Sequence, residues 1–308
     1  MHTKKILILT TGGTIAGSGD DPSQSAHYQA GTLKGSALLA LLPSSQKNLE
    51  VQEIAQIDSI EINPCIWQNL LEYLEQDYEG FVITHGTDTL EESAFALHLL
   101  YRGKKPVVLV GAMRPSNAIG SDGIKNLYSA IALASDPKAK GVMVLMNDKI
   151  YHPQSIYKAH TYNLDAFKSR NGGEMGYVLD DKICLFSSSQ KPNLPFKKED
   201  LIQLPQVEIV YIYAGMQDLP LWNHQIKGLV IAGCGAGNIP KHIRQKLRLL
   251  QAQGLMIVAG SRGSEGFVWE SEFIPAFGLN VAKCRILLSL CLQHSQSKKE
   301  IEKIFSLF

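Results

Sequence analysis

Short, unbroken apolar runs alternate along this chain with segments of helical period. KILILTT (5–11), GFVITHG (80–86), KPVVLVGA (105–112) and KGVMVLMND (140–148) occupy the first half. VEIVYIYAG (207–215), KGLVIAG (227–233) and GLMIVAGS (254–261) follow in the second. A strand with one wet face alternates polar and apolar residues, so unbroken runs predict sheets covered on both faces. Amphipathic patterns lie between them at 66–76, 91–103 (ending in Gly103, suited to a C-cap), 127–135 and 241–254. Near the C-terminus, Ser297 and Glu300 stand at capping-box spacing ahead of Ile301, Ile304, Phe305 and Phe308. Strand–helix alternation predicts an α/β fold of two domains, each built on a mainly parallel β-sheet flanked by helices. The polar stretch 187–206 carries three prolines and no period. It divides the chain into an N-terminal domain (1–187), a linker (188–206) and a C-terminal domain (207–308).

Bulk properties narrow the function classes. The formal net charge of +1 supplies no field for nucleic acid or an anionic membrane, so neither is an expected partner. Cys65, Cys184, Cys234, Cys284 and Cys291 are scattered, and neither they nor the nine histidines fall at metal-ligand spacing. They read as reduced, mostly buried thiols with no metal site. The N-terminal lysines run into an apolar stretch shorter than a signal peptide's, and no window approaches the roughly 18 apolar residues of a membrane span. The expected location is the cytoplasm.

Candidate chemistry stands just after the strands, because open α/β sheets bind ligands at their carboxyl ends. These positions hold GGTIAG, HGTDT, GAMRPSNAIGSDG and GCGAGN, four glycine-bearing loops expected to converge on one edge. Each has a structural explanation in the turn itself. TGGTIAG lacks the spacings of the dinucleotide and phosphate-binding loops, so no nucleotide is expected. Two of the loops carry threonines, and a threonine hydroxyl attacks only where a turn exposes it and a base takes its proton. Asp88 adjoins Thr87, and lysines are available elsewhere, although lysine serves as a base only where burial or a nearby cation lowers its pKa.

TGGTIAG (11–17) together with GFVITHGTDTLEES (80–93) resembles the paired signature of the bacterial L-asparaginases. KPVVLVGAMRPSNAIGSDGIKNLYSAI (105–131) and GVMVLMND (141–148) extend the resemblance, which runs from Lys5 to the closing IEKIFSLF. It implies hydrolysis of L-asparagine to L-aspartate and ammonia through an acyl-enzyme, without metal or organic cofactor and with minor glutaminase activity. Carried over residue by residue, Thr14 is the nucleophile, and Tyr28 matches a lid tyrosine that orients it. Thr87, Asp88 and Lys158 form a second hydroxyl–lysine–carboxylate group. Ser59 would bind the substrate's α-carboxylate and Asp88 its α-ammonium. Asn238 matches a residue contributed from a neighbouring subunit, implying a homo-oligomer, a dimer or a tetramer.

The chain departs from the periplasmic pattern in two places. Ser59-Ile60 replaces Ser-Gln or Ser-Glu, removing one polar contact, and segment 261–280 is shorter. Glu265, Glu270 and Glu272 are candidates for the glutamate that the pattern places there. Two rivals remain: an amino-acid sensor without catalysis, and the ammonia-supplying subunit of a tRNA-dependent amidotransferase. Against the second, the motif starts at residue 11 and the chain is not basic. The remaining conspicuous residues read as structural. His85 is a hydrogen-bonding group, Arg114 a loop anchor, and Trp67, Trp222 and Trp269 packing residues. Cys234 is not a nucleophile, and Lys4-Lys5 and Lys298-Lys299 are solvated surface.

Overall fold

The computed structural model describes residues 5–43, 48–189, 191–222 and 225–308. The chain forms two compact units, with the boundary between Lys191 and Pro192.

In the first unit, β1 (Ile6–Gly12), β2 (Leu49–Ile57), β3 (Gly80–Thr84), β4 (Pro106–Val110) and β5 (Gly141–Met146) pair in parallel. Short antiparallel strands β6 (Lys149–Tyr151), β9 (Gly176–Leu179) and β10 (Lys182–Leu185) extend the sheet. A separate hairpin joins β7 (Ile156–Lys158) to β8 (Phe167–Ser169). The sheet order is β10-β9-β6-β5-β4-β3-β1-β2. The chain therefore leaves β1 to one side for β2 and returns to its other side for β3. That reversal makes the carboxyl ends of β1 and β3 a topological switch point, where such sheets bind ligands.

Both faces of this sheet are covered, which is why its strands read as continuous apolar runs. Ile6, Ile8, Val82, Val108 and Val110 pack with Leu38 of α1 (Gly35–Ala40) and with Leu127, Ala130 and Ile131 of α4 (Gly123–Ala134). Successive strand residues face opposite ways. Leu7, Leu9, Phe81, Ile83, Val107 and Leu109 are buried too. Their face is the one left to α2 (Pro64–Leu74) and α3 (Leu90–Leu100), both rich in buried leucine. Each fully buried aliphatic side chain contributes about 2 kcal/mol.

Helix ends follow local chemistry. Asn63 Oδ1 accepts from the N–H groups of Cys65 and Ile66, and Pro64 occupies the first turn of α2. The expected C-cap at Gly103 is corrected, because α3 stops at Leu100 and the backbone turns extended at Tyr101. The ammonium of Lys191 satisfies the carbonyls of Leu99 and Tyr101 there. Gly103 has another role, since a Cβ at this position would lie 2.2 Å from the Tyr101 hydroxyl.

The second unit has four parallel strands in the order β11-β12-β13-β14. These are β11 (Val207–Tyr211), β12 (Gly228–Gly233), β13 (Met256–Ser261) and β14 (Ile274–Pro275). Ile243 and Leu247 of α5 (Lys241–Ala252) share a core with Val210, Leu229, Ile231 and Ile257. The helices α6 (Val281–His294) and α7 (Lys298–Phe305) complete the unit. Ser297 Oγ accepts from Glu300 N–H at 3.4 Å, but the Glu300 carboxylate takes the Ser295 hydroxyl, so only half of the expected capping box forms. The second half of the polar stretch is bonded to α6: Ser289 Oγ donates to Pro205 O, and Gln293 Nε2 to Asp200 O and Gln203 O.

The expectation of mostly buried thiols is corrected. Cys284 and Cys291 are buried, Cys234 is half-buried, and Cys65 and Cys184 are exposed. Burial pushes the Cys291 thiol up to about 12. Trp67 is buried, whereas Trp269 is 65% exposed, lying stacked on Phe267 with ring centroids 4.7 Å apart. Lys5 pairs with Glu50, and Lys4 lies outside the described residues. Among the described residues, no helix is long and apolar enough to cross a membrane.

Candidate active site

The glycine turns after β1 and β3 touch back to back. Gly13 has φ +75°, and a Cβ on it would fall 2.3 Å from both Cα and N of Gly86. No side chain fits between two backbones that close, so the pair holds the two threonine loops together. Gly13 N–H donates to Ile57 O at 2.9 Å, tying the end of β2 to the same point. Thr11, for which the sequence suggested no role, donates its hydroxyl to Thr84 O at 2.9 Å and joins the ends of β1 and β3.

Beyond these turns lies a cavity of about 550 Å³ lined by Thr14, Tyr28, Thr87, Asp88 and Lys158. Ser25, Ala26, Met113 and residues 159–162 complete its wall. Thr14 opens a short 3-10 turn and is 6% exposed. Its Oγ1 lies 2.7 Å from Tyr28 OH, and either oxygen can donate. Thr87 is equally buried at 5%, but its neighbours are ionic. Lys158 Nζ, from the end of β7, donates to Thr87 Oγ1 at 2.8 Å and to Asp88 Oδ1 at 2.5 Å. The Asp88 side chain is 57% exposed, so this ion pair stands at the cavity rim.

A buried histidine braces the second loop. His85 is fully enclosed, and burial holds its imidazole down to about 4. Trp67 Nε1 donates to Ser93 Oγ at 2.8 Å, which leaves the serine hydroxyl to donate to His85 Nε2 at 2.8 Å. Nδ1–H is then the donor to Gly86 O at 2.6 Å. His85 is thus neutral and supports the peptide preceding Thr87.

The third loop is held from below. The Asp122 carboxylate accepts from Met113 N at 3.0 Å, Arg114 N at 3.0 Å and Asn126 Nδ2 at 3.0 Å. Arg114 Nη1 donates to Gly120 O at 3.0 Å, the loop-anchoring contact expected of it.

Other anticipated residues stand elsewhere. Ser59 is buried beside Gly86, outside the cavity wall, and its hydroxyl has no hydrogen-bond partner among the described residues. Thr89 Oγ1 donates to Ser59 O at 2.6 Å and holds that residue against the second loop. The fourth glycine loop belongs to the second unit, after β12. There Asn238 pairs its backbone with Cys234 at 2.7 and 3.0 Å. Glu272 is engaged within that unit by Arg244 and Arg248, at 3.3 and 2.6 Å. Met113, Ser25, Ala26, His160 and Tyr162 line the cavity without having been singled out in the sequence. Only the position of Met113 directly after a strand carried a signal.

Both halves of the chain match described families in order. Residues 5–191 match the family "Asparaginase, N-terminal", and residues 206–305 match "Glutaminase/Asparaginase C-terminal domain". L-asparaginase 2 of Escherichia coli K12 is 36% identical over 322 residues, covering 98% of this chain and 92% of that protein. Glutaminase-asparaginase of Pseudomonas fluorescens biotype A is 36% identical over 327 residues, with coverage of 97% and 89%. The crystal structure of a probable cytoplasmic L-asparaginase from Campylobacter jejuni superposes with a TM-score of 0.94 at 39% identity. That likeness covers 99% of this chain and all of the other. With fold, order and nearly full length shared, the chain belongs to the asparaginase family.

Proposed function

We propose that this protein hydrolyses L-asparagine to L-aspartate and ammonia, with Thr14 as the nucleophile. One observation carries the reading: a single cavity is lined at once by a tyrosine-bonded threonine and by a lysine-bonded threonine. In this reading Thr14 Oγ1 attacks the carboxamide carbon, its proton moving to the Tyr28 oxygen as the Tyr28 hydroxyl gives its own proton to the carboxamide nitrogen. Backbone N–H groups of the glycine turns stabilise the tetrahedral oxyanion, each by about 3 kcal/mol. Collapse of the tetrahedral anion expels the protonated nitrogen as ammonia and leaves an aspartyl ester on Thr14. Water held at the Thr87–Lys158–Asp88 group then attacks the ester, its proton passing to the Asp88 carboxylate and on to the Thr14 oxygen as the ester bond breaks, so that the Thr14 hydroxyl is regenerated.

Free amino-acid groups are recognised at fixed positions. The exposed carboxylate of Asp88 takes the α-ammonium, and the Ser59 hydroxyl, which stands outside the cavity wall in the free protein, turns inward to serve the α-carboxylate. Glutamine is a minor substrate, because one methylene is discriminated by only about 1–3 kcal/mol. The working assembly is a homo-oligomer, a dimer or a tetramer, in which Asn238 reaches a neighbouring subunit's site. The protein acts in the cytoplasm, a reading supported by its likeness to the probable cytoplasmic Campylobacter enzyme.

Ammonia release from L-asparagine by purified protein tests this directly. Thr14→Ala is expected to abolish turnover with the fold intact, and Thr87→Ala to leave a slow residual rate. Full activity in Thr14→Ala would refute the assignment of the nucleophile. Asparagine binding without any turnover in the wild type would favour a sensor.

A further inference from the structure

Tyr28 reaches Thr14 from a strap whose residues 20–29 are all exposed, so packing does little to hold it. Hydrogen bonds do. The strap closes on itself where Ser18 and Gln29 exchange backbone bonds at 3.2 and 3.1 Å. It is fastened at its base where Ser116 N and Ser116 Oγ both donate to Gly17 O, at 2.9 and 2.7 Å. Farther out, Ile119 N donates to Pro22 O at 2.9 Å.

Between these points the side chain of Asn117 makes a reciprocal pair with the backbone of Gly19. Its Nδ2 donates to Gly19 O at 2.6 Å, and its Oδ1 accepts from Gly19 N at 3.1 Å. A carboxamide used in this way imitates one rung of a β-ladder. The loop that carries Asn117 is itself fixed by Asp122 through Arg114 N, and by the bond from Ala118 N to Pro115 O at 3.0 Å. It begins at Met113, which lines the cavity. A continuous set of contacts therefore runs from the end of β4 through Asn117 and Gly19 to Tyr28 and Thr14.

We propose that Asn117 is a positioning residue that holds the strap in the register placing Tyr28 OH on Thr14 Oγ1. The inference rests on the hydrolase reading above for its kinetic consequence, but the clasp itself is testable without turnover. Both bonds are exposed, and a net hydrogen bond of this kind is worth a few-fold in an equilibrium, so removing the pair shifts the strap without unfolding the unit. Asn117→Ala is expected to lower kcat for L-asparagine about fivefold to tenfold, with a smaller change in KM. Asn117→Asp keeps the acceptor for Gly19 N–H and loses the donor to Gly19 O, so it falls between alanine and wild type.

The test measures kcat, KM, thermal midpoint and backbone hydrogen exchange over residues 17–30 in the three proteins. Faster exchange confined to the strap, an unchanged thermal midpoint and the graded loss of kcat would support the clasp. Unaltered strap exchange in Asn117→Ala would overturn it, as would faster exchange with unaltered kcat. If the wild type does not turn over asparagine, the hydrolase reading fails instead, and strap exchange still decides whether Asn117 is the clasp.

Discussion

Thr14 and Thr87 each follow a buried parallel strand and a glycine turn, yet the two loops surround their hydroxyls with different chemistry. Thr14 has one neutral partner, Tyr28, on an exposed strap. Thr87 accepts from the Lys158 ammonium, itself paired with Asp88, and its loop is braced from behind by the buried His85–Ser93–Trp67 chain. A hydroxyl that must attack a neutral amide gains from a neighbour that shares its proton without fixing a charge on it. Activating water against an ester calls for a polarised group held rigidly in place. On the proposed reading, the difference between the loops corresponds to two half-reactions, acylation at Thr14 and deacylation at Thr87.

Breaking the ionic side should have the largest effect. Lys158→Met removes both bonds to Thr87 and Asp88, and turnover is expected to fall by about three orders of magnitude, within the range for a lost acid–base group. Steady-state ammonia release measures this. Breaking the neutral side should cost less, since Tyr28→Phe keeps the ring and loses only the hydroxyl. A decrease of about a hundredfold in kcat is expected, with asparagine binding preserved.

A third effect concerns stability rather than turnover. His85 titrates near 6.5 when unfolded and near 4 in the fold, so the folded state favours its neutral form. Its contribution is fully present above pH 6.5 and erodes as pH falls toward 4, by about 3 kcal/mol in total. Urea midpoints between pH 7 and 4 should therefore fall more steeply for the wild type than for His85→Gln.

What the sequence made legible follows from burial. β1, β3, β4, β5, β12 and β13 announce themselves because both faces of their sheets are covered and nearly every side chain is apolar, with the threonines of β1 and β3 confined to their carboxyl ends. β2 went unseen, since its residues 49–57 lie at a sheet edge, mostly half-exposed, with neither an unbroken run nor a clean alternation. The strands from β6 to β10 are three or four residues long, too short for any period to register, although β7 ends on Lys158. The glycine turns were visible as turns, but nothing local indicates that Gly13 and Gly86 meet. Strand order decides that, through the reversal at β1. The wall at 159–162 was hidden for the same reason, as were the bonds of Asn117 to Gly19 and the chain behind His85.

Trapping the acyl-enzyme tests the division between the loops most directly. Lys158→Met mixed with L-asparagine, quenched in acid and mapped by peptide mass, should carry an aspartyl ester on Thr14 with ammonia released in a single stoichiometric burst. An adduct on Thr87, or no adduct and no burst while slow turnover continues, would contradict the account.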